Sequence, residues 1–136
     1  MYNVGEHTIK VMENVSADKL MRWTALFHDV AKPLVKTTDA NGRNHFKGHA
    51  LEGSRLAPQI MRRLKMDNKT IKTASRLIEC HDDRPASKGF NPEAIRRSVH
   101  KIGKDIYHNY LELVYGQKQV WKRRRLRCLC LCMQAG

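Results

Sequence analysis

The most telling segment of the chain is Leu26-Phe27-His28-Asp29-Val30-Ala31-Lys32-Pro33. It closes an amphipathic helical run. Pro33 biases Lys32 out of the helical region, so the helix should end at His28-Asp29. Adjacent helix residues differ by about 100° around the axis, so these two side chains cannot both point straight inward from a regular helix. At a helix end that restriction relaxes. An imidazole and a carboxylate can then converge on one divalent ion between helices. His7, His49 and His81 lie at plausible positions to complete such a centre. Imidazole nitrogen and carboxylate oxygen suit Zn, Mn, Fe, Co or Ni, and the carboxylate also admits Mg.

Outward from this pair the chain reads as mostly helical. Val4 to Val15 carries Val4, Ile9, Val11, Met12 and Val15 at a rough helical period, with His7 in its middle. Ser16 is the expected cap of the next helix, with Asp18 near its positive end. That helix carries Leu20, Met21, Trp23, Ala25, Leu26 and Phe27, so it should be central. Pro33 to Phe46 differs: Val35, Thr37 and Thr38 are β-prone and Asn41-Gly42 signals a turn. A helix over Gly48 to Leu64 should turn Leu51, Leu56, Ile60, Met61 and Leu64 inward. Asp67 or Asn68 should cap a helix running through Ile71, Ala74, Leu77 and Ile78 to His81. Asp83 to Gly89 reads as a loop. Asn91-Pro92-Glu93 starts a helix with Ile95, Val99 and Ile102, and a last helix after Gly103 carries Ile106, Tyr110, Leu111, Leu113 and Val114. The expected fold class is all-α, a helical bundle with a short hairpin or ordered loop near residues 33–46.

With 136 residues, 41% of them hydrophobic, the chain suits one globular domain and not overall disorder. No apolar run reaches membrane-spanning length and the start is not a signal peptide, so the expected location is the cytoplasm, with no membrane partner. The 26 Lys and Arg residues against 13 Asp and Glu give a formal charge of +13, which favours phosphate-bearing partners. Lys118, Lys122, Arg123, Arg124, Arg125 and Arg127 form an acid-free basic run. It can grip an RNA or phosphate backbone or stand as a solvated tail, and the residues alone favour the tail. Amphipathic order fades from Trp121 on, which divides the chain into a domain at 1–120 and a basic irregular tail at 121–136. Cys80 falls in an apolar helical stretch. Cys128, Cys130 and Cys132 lack the paired two-residue gaps of zinc sites.

The chain resembles the HD superfamily of metal-dependent phosphohydrolases, and in particular the HD domain of bacterial tRNA nucleotidyltransferases. The resembling stretches are Val4-Gly5-Glu6-His7-Thr8, Leu26 to Pro33, Thr37 to Gly42, His45-Phe46-Lys47-Gly48-His49 and Ile78-Glu79-Cys80-His81-Asp82. The resemblance implies an all-helical fold and one metal held by His7, His28 and Asp29. It implies that His49 and His81 bind or border a second ion where there are two, and that Lys32 contacts phosphate. Two departures stand out. The family pattern ends with an aspartate ligand after a Leu-Glu-Leu-like stretch, and here Gln117 stands about where that aspartate belongs. The nucleotidyltransferase head, a Gly-Ser or Gly-Gly turn followed by paired aspartates, has no counterpart. The chain is then either a free-standing HD protein or a fragment of a larger enzyme.

Two functional readings follow. In the first, Asp29 and Lys32 serve catalysis in a phosphohydrolase acting on a phosphomonoester or phosphodiester such as a nucleotide, a 2′,3′-cyclic nucleotide included. Its one or two ions are held by His7, His28, Asp29, His49 and His81, with Asp82 a supporting partner and Gln117 a weak ligand at most. In the second, the chain is a catalytically weakened HD module that binds tRNA or another RNA. Homo-oligomerisation is open in both.

Overall fold

The computed structural model describes residues 3–85 and 91–134, with side chains described as far as Val120. The element order is α1 (Val4–Glu13), α2 (Lys19–Phe27), α3 (Lys32–Val35), β1 (Thr37–Thr38), β2 (Asn44–His45), α4 (His49–Arg63), α5 (Asn68–Cys80), α6 (Pro92–Ile102) and α7 (Tyr107–Gln134). This is the expected all-α bundle with its hairpin, in which Thr37 pairs with His45 and Thr38 with Asn44. Gly42, at φ 75°, supplies the left-handed residue the Asn41-Gly42 turn needs.

Local chemistry sets the helix starts. Asn3, Asp18, Asp67 and Asn91 each accept backbone N–H bonds at the head of α1, α2, α5 and α6. The cap of α2 is therefore Asp18 and not Ser16. Ser16 instead donates its hydroxyl to Asp18 Oδ2 at 2.8 Å. Lys32 is also not extended: it opens the single turn of α3, with Pro33 in the first turn, where a missing N–H costs nothing.

The core has two parts that share α2 and α5. Val11, Met21, Ala25, Leu77, Cys80, Tyr110 and Leu113 fill one part, and Phe27, Ala57, Met61, Ile71, Ala74 and Ile78 fill the other. On α4 the buried face is His49, Gly53, Ala57, Pro58 and Met61, while the expected inward residues Leu51 and Leu64 are exposed. Leu111 is likewise exposed on α7. On α4 the reason is close packing by small residues: a Cβ on Gly53 would lie 3.2 Å from Ile78 Cγ2 and 3.8 Å from the His28 carbonyl. That approach draws α4 onto the ends of α2 and α5, and no leucine fits there.

The backbone of α7 is helical to Gln134, past the boundary expected at 120. Side chains from Trp121 on, including Lys122, Arg123, Arg124 and Arg125, lie outside the described residues, as do residues 86–89 of the expected loop. Among the described residues no helix is long and apolar enough to cross a membrane.

Candidate metal centre

Helix ends build the site. His28 caps the C-terminus of α2 and His81 that of α5, while His49 is the first residue of α4, directly after Gly48 in the left-handed conformation at φ 81°. His7 comes from the buried face of α1. Asp29 lies in the turn after α2, so it and His28 point into the same space despite being neighbours. All five side chains are buried.

Three imidazoles are fixed in one orientation by the backbone. His28, His49 and His81 donate Nδ1–H to the carbonyls of Ala25, Phe46 and Ile78 at 2.6, 2.8 and 2.6 Å. Each Nε2 then faces inward, where it can offer a lone pair to a cation or hold a proton toward Asp29. His28 Nε2 lies 3.4 Å from His7 Nε2, and His49 Nε2 lies 3.1 Å from His81 Nε2. Lone pairs this close repel unless a proton or a cation stands with them.

Asp29 binds the two pairs together. Its Oδ2 lies 3.2 Å from His28 Nε2 and 3.6 Å from His7 Nε2, and its Oδ1 lies 3.4 Å from His49 Nε2 and 3.5 Å from His81 Nε2. Lys32 Nζ holds Oδ2 at 2.7 Å. Burial pushes the Asp29 carboxyl up, but hydrogen bonds from His28, His49 and His81 outweigh it and hold the group far below the usual carboxylate range. Burial pushes the His49 imidazole down, and the Asp29 hydrogen bond together with the Phe46 carbonyl and Asp82 raises it overall. An ionised carboxylate between two pairs of inward-facing imidazole nitrogens suits divalent cations. His7, His28 and Asp29 form one three-residue group that could hold an ion, and Asp29, His49 and His81 form a second.

Asp82 and Gln117 also border this space. Asp82 Oδ2 lies 3.2 Å from His49 Nε2. Gln117, buried on α7, lines the same cavity of about 320 Å³. Lys118, next to it, is exposed and outside that cavity. His45, His100 and His108 are exposed, as expected of residues with no part in the centre. The sequence reading missed Phe46, Lys47 and Arg84, which line the cavity as well. Lys32 Nζ sits 5.7 Å from the centre of the Phe46 ring. The available signal was nearness in the chain: Lys47 precedes Gly48-His49, and Arg84 follows His81-Asp82-Asp83.

Residues 1–105 match the HD domain family. This chain belongs to the HD domain family. That family lies in a superfamily of metal-dependent phosphohydrolases, and the His and Asp groups described above are ones that could hold a metal. The HD chain is 36% identical over 85 residues to the A-adding tRNA nucleotidyltransferase of Deinococcus radiodurans. It is 33% identical over 85 residues to the CC-adding tRNA nucleotidyltransferase of Thermus thermophilus. Each match covers 58% of this chain and 20% of the relative, so the chain spans about a fifth of the length of these curated relatives. No solved structure matches.

Proposed function

We propose that the chain is a metal-dependent phosphohydrolase of phosphomonoesters or phosphodiesters, with nucleotides, 2′,3′-cyclic nucleotides among them, as the substrate class. The observation that carries this reading is the placing of Asp29: one buried carboxylate with a pair of imidazoles at each of its oxygens. His7, His28 and Asp29 would hold one ion, and His49 and His81, with Asp29, a second. A divalent cation there supplies Lewis acidity, acidifying water and polarising a phosphoryl oxygen.

The protein's own groups do the rest. The carbonyls of Ala25, Phe46 and Ile78 keep three imidazoles from turning, so the ligand set is preorganised. Lys32, anchored on Asp29 at 2.7 Å and lining the cavity, offsets charge on the equatorial oxygens as the phosphoryl group transfers. Asp82 Oδ2, 3.2 Å from the same His49 Nε2, faces the centre from the solvent side. The expected result is that purified protein with Mn, Co or Ni cleaves a generic phosphodiester or a 2′,3′-cyclic nucleotide. The double variant His28→Ala, Asp29→Ala should lose this activity, and turnover equal to the parent would refute the reading.

A second reading is favoured by one observation: the relatives at 33% and 36% identity are tRNA nucleotidyltransferases. In that reading the chain is an HD module that binds tRNA or another RNA, with Lys118, Lys122, Arg123, Arg124 and Arg125 on the phosphate backbone. Affinity for RNA should then fall steeply with salt, without metal-dependent turnover. Flat affinity from low to high salt would exclude it.

A further inference from the structure

Gln117 is 3% exposed, lines the cavity beside His7 and Asp29, and its amide Nε2 has no hydrogen-bond partner. A buried amide donor left without an acceptor carries its full desolvation cost, so it calls for a ligand. The charges lining the same cavity call for one kind. Lys32 is tied to Asp29 and Asp82 lies against His49, whereas Lys47 and Arg84 have no acidic partner among the described residues. Lys47, Arg84 and Gln117 thus offer three sets of N–H donors that the ligand cluster does not use. A carboxylate at 117 would add a negative charge facing an anionic substrate. The neutral amide adds a donor instead.

We propose that Gln117, Lys47 and Arg84 form a cradle for the three terminal oxygens of a phosphomonoester, which makes a terminal phosphate the preferred substrate of this centre over an internal diester. A phosphomonoester carries about −1.5 to −2 charge and three acceptor oxygens, which match two unpaired cations and one amide. A diester offers one terminal oxygen fewer and a single charge. The proposal rests on the phosphohydrolase reading, but the cradle is built from side chains alone and binds its anion without an ion present. The same argument makes Gln117 a determinant of metal affinity, because an uncharged residue at this position leaves the first ion with one carboxylate instead of two.

The test is calorimetric titration of the full chain with inorganic phosphate in chelator, with dimethyl phosphate in chelator, and separately with Mn²⁺ alone. The parent should bind phosphate at least about tenfold more tightly than dimethyl phosphate. Gln117→Asp should weaken phosphate binding by about tenfold or more and tighten Mn²⁺ binding. Arg84→Ala, at an exposed position, should weaken phosphate binding with Mn²⁺ affinity unchanged. Phosphate affinity unaltered in Arg84→Ala, or in a folded Gln117→Asp, overturns the cradle. Equal binding of phosphate and dimethyl phosphate overturns the monoester assignment. Phosphate binding without any Mn²⁺ binding supports the cradle and counts instead against the metallohydrolase reading.

Discussion

Gly48 shows how much of the centre hangs on one backbone angle. At φ 81° it occupies the left-handed region, and the next residue, His49, opens α4 with its ring turned toward His81. An added Cβ would meet nothing within 4 Å, so the cost of a side chain here is backbone strain alone. Gly48→Ala should lose about 1–2 kcal/mol in urea denaturation, and Gly48→Asn, which tolerates this conformation better, should lose less. Equal stability of all three proteins would contradict the assignment. The candidate ligands were legible at this scale because three imidazoles and a carboxylate at helix ends, with His7 on a buried helix face, are uncommon together. Lys47 and Arg84 were not. In a chain of formal charge +13, one more exposed cation forms no pattern until folding sets it beside a cavity.

Helix α4 has a proline in its interior, and the neighbouring element compensates for it. Pro58 has no N–H for the carbonyl of Ser54, and that carbonyl accepts instead from the Ser75 hydroxyl of α5 at 2.8 Å. Ser75→Ala should therefore cost about 1–3 kcal/mol, because it orphans the Ser54 carbonyl. Adding Pro58→Ala restores the intrahelical bond, so a double-mutant cycle should show a coupling of about 1 kcal/mol. Strict additivity would mean that the two residues act independently. The start of α5 makes a pH prediction. Asp67 accepts from Thr70 N–H and pairs with Lys19 at 2.7 Å, and the lysine hydrogen bond holds its carboxyl well below the usual range. A depressed native pKa means stability that is present above the unfolded value, near 4, and lost as pH falls below it. Asp67→Asn keeps a capping oxygen but no charge, so the fall in Tm between pH 5 and pH 3 should be shallower than in the parent. Caps such as Asp67 and Asn91 were readable because capping is local. The exposed face of Leu51 was not, because side-chain size at the contact with α5 chooses which stripe of α4 turns inward.

The proposed ligands come from α1, from α4, and from the ends of α2 and α5, with Asp29 in the turn behind α2. An ion bound there would tie four helices that are far apart in the chain. Binding to the native state alone raises stability by about 2.7 kcal/mol at a free concentration of 100 times Kd. Thermal melts with saturating Mn²⁺ should show a rise in Tm that chelator reverses and that His7→Ala or His81→Ala reduces. A Tm indifferent to Mn²⁺ would argue against a resident ion. The class of fold, the starts of α5 and α6, the hairpin and the candidate ligands were readable from the chain alone. These rest on short-range rules: capping, proline geometry, turn residues and the chemistry of each side chain. Tertiary structure alone decided that Asp29 lies between two histidine pairs, that Gln117 faces the same cavity with a donor unused, and that Lys47 and Arg84 border it. Those relations depend on how closely α4 and α7 pack on the shared pair α2 and α5. Distances between residues 29, 81 and 117 are set by the shapes of packed surfaces, and no local pattern in the chain encodes them.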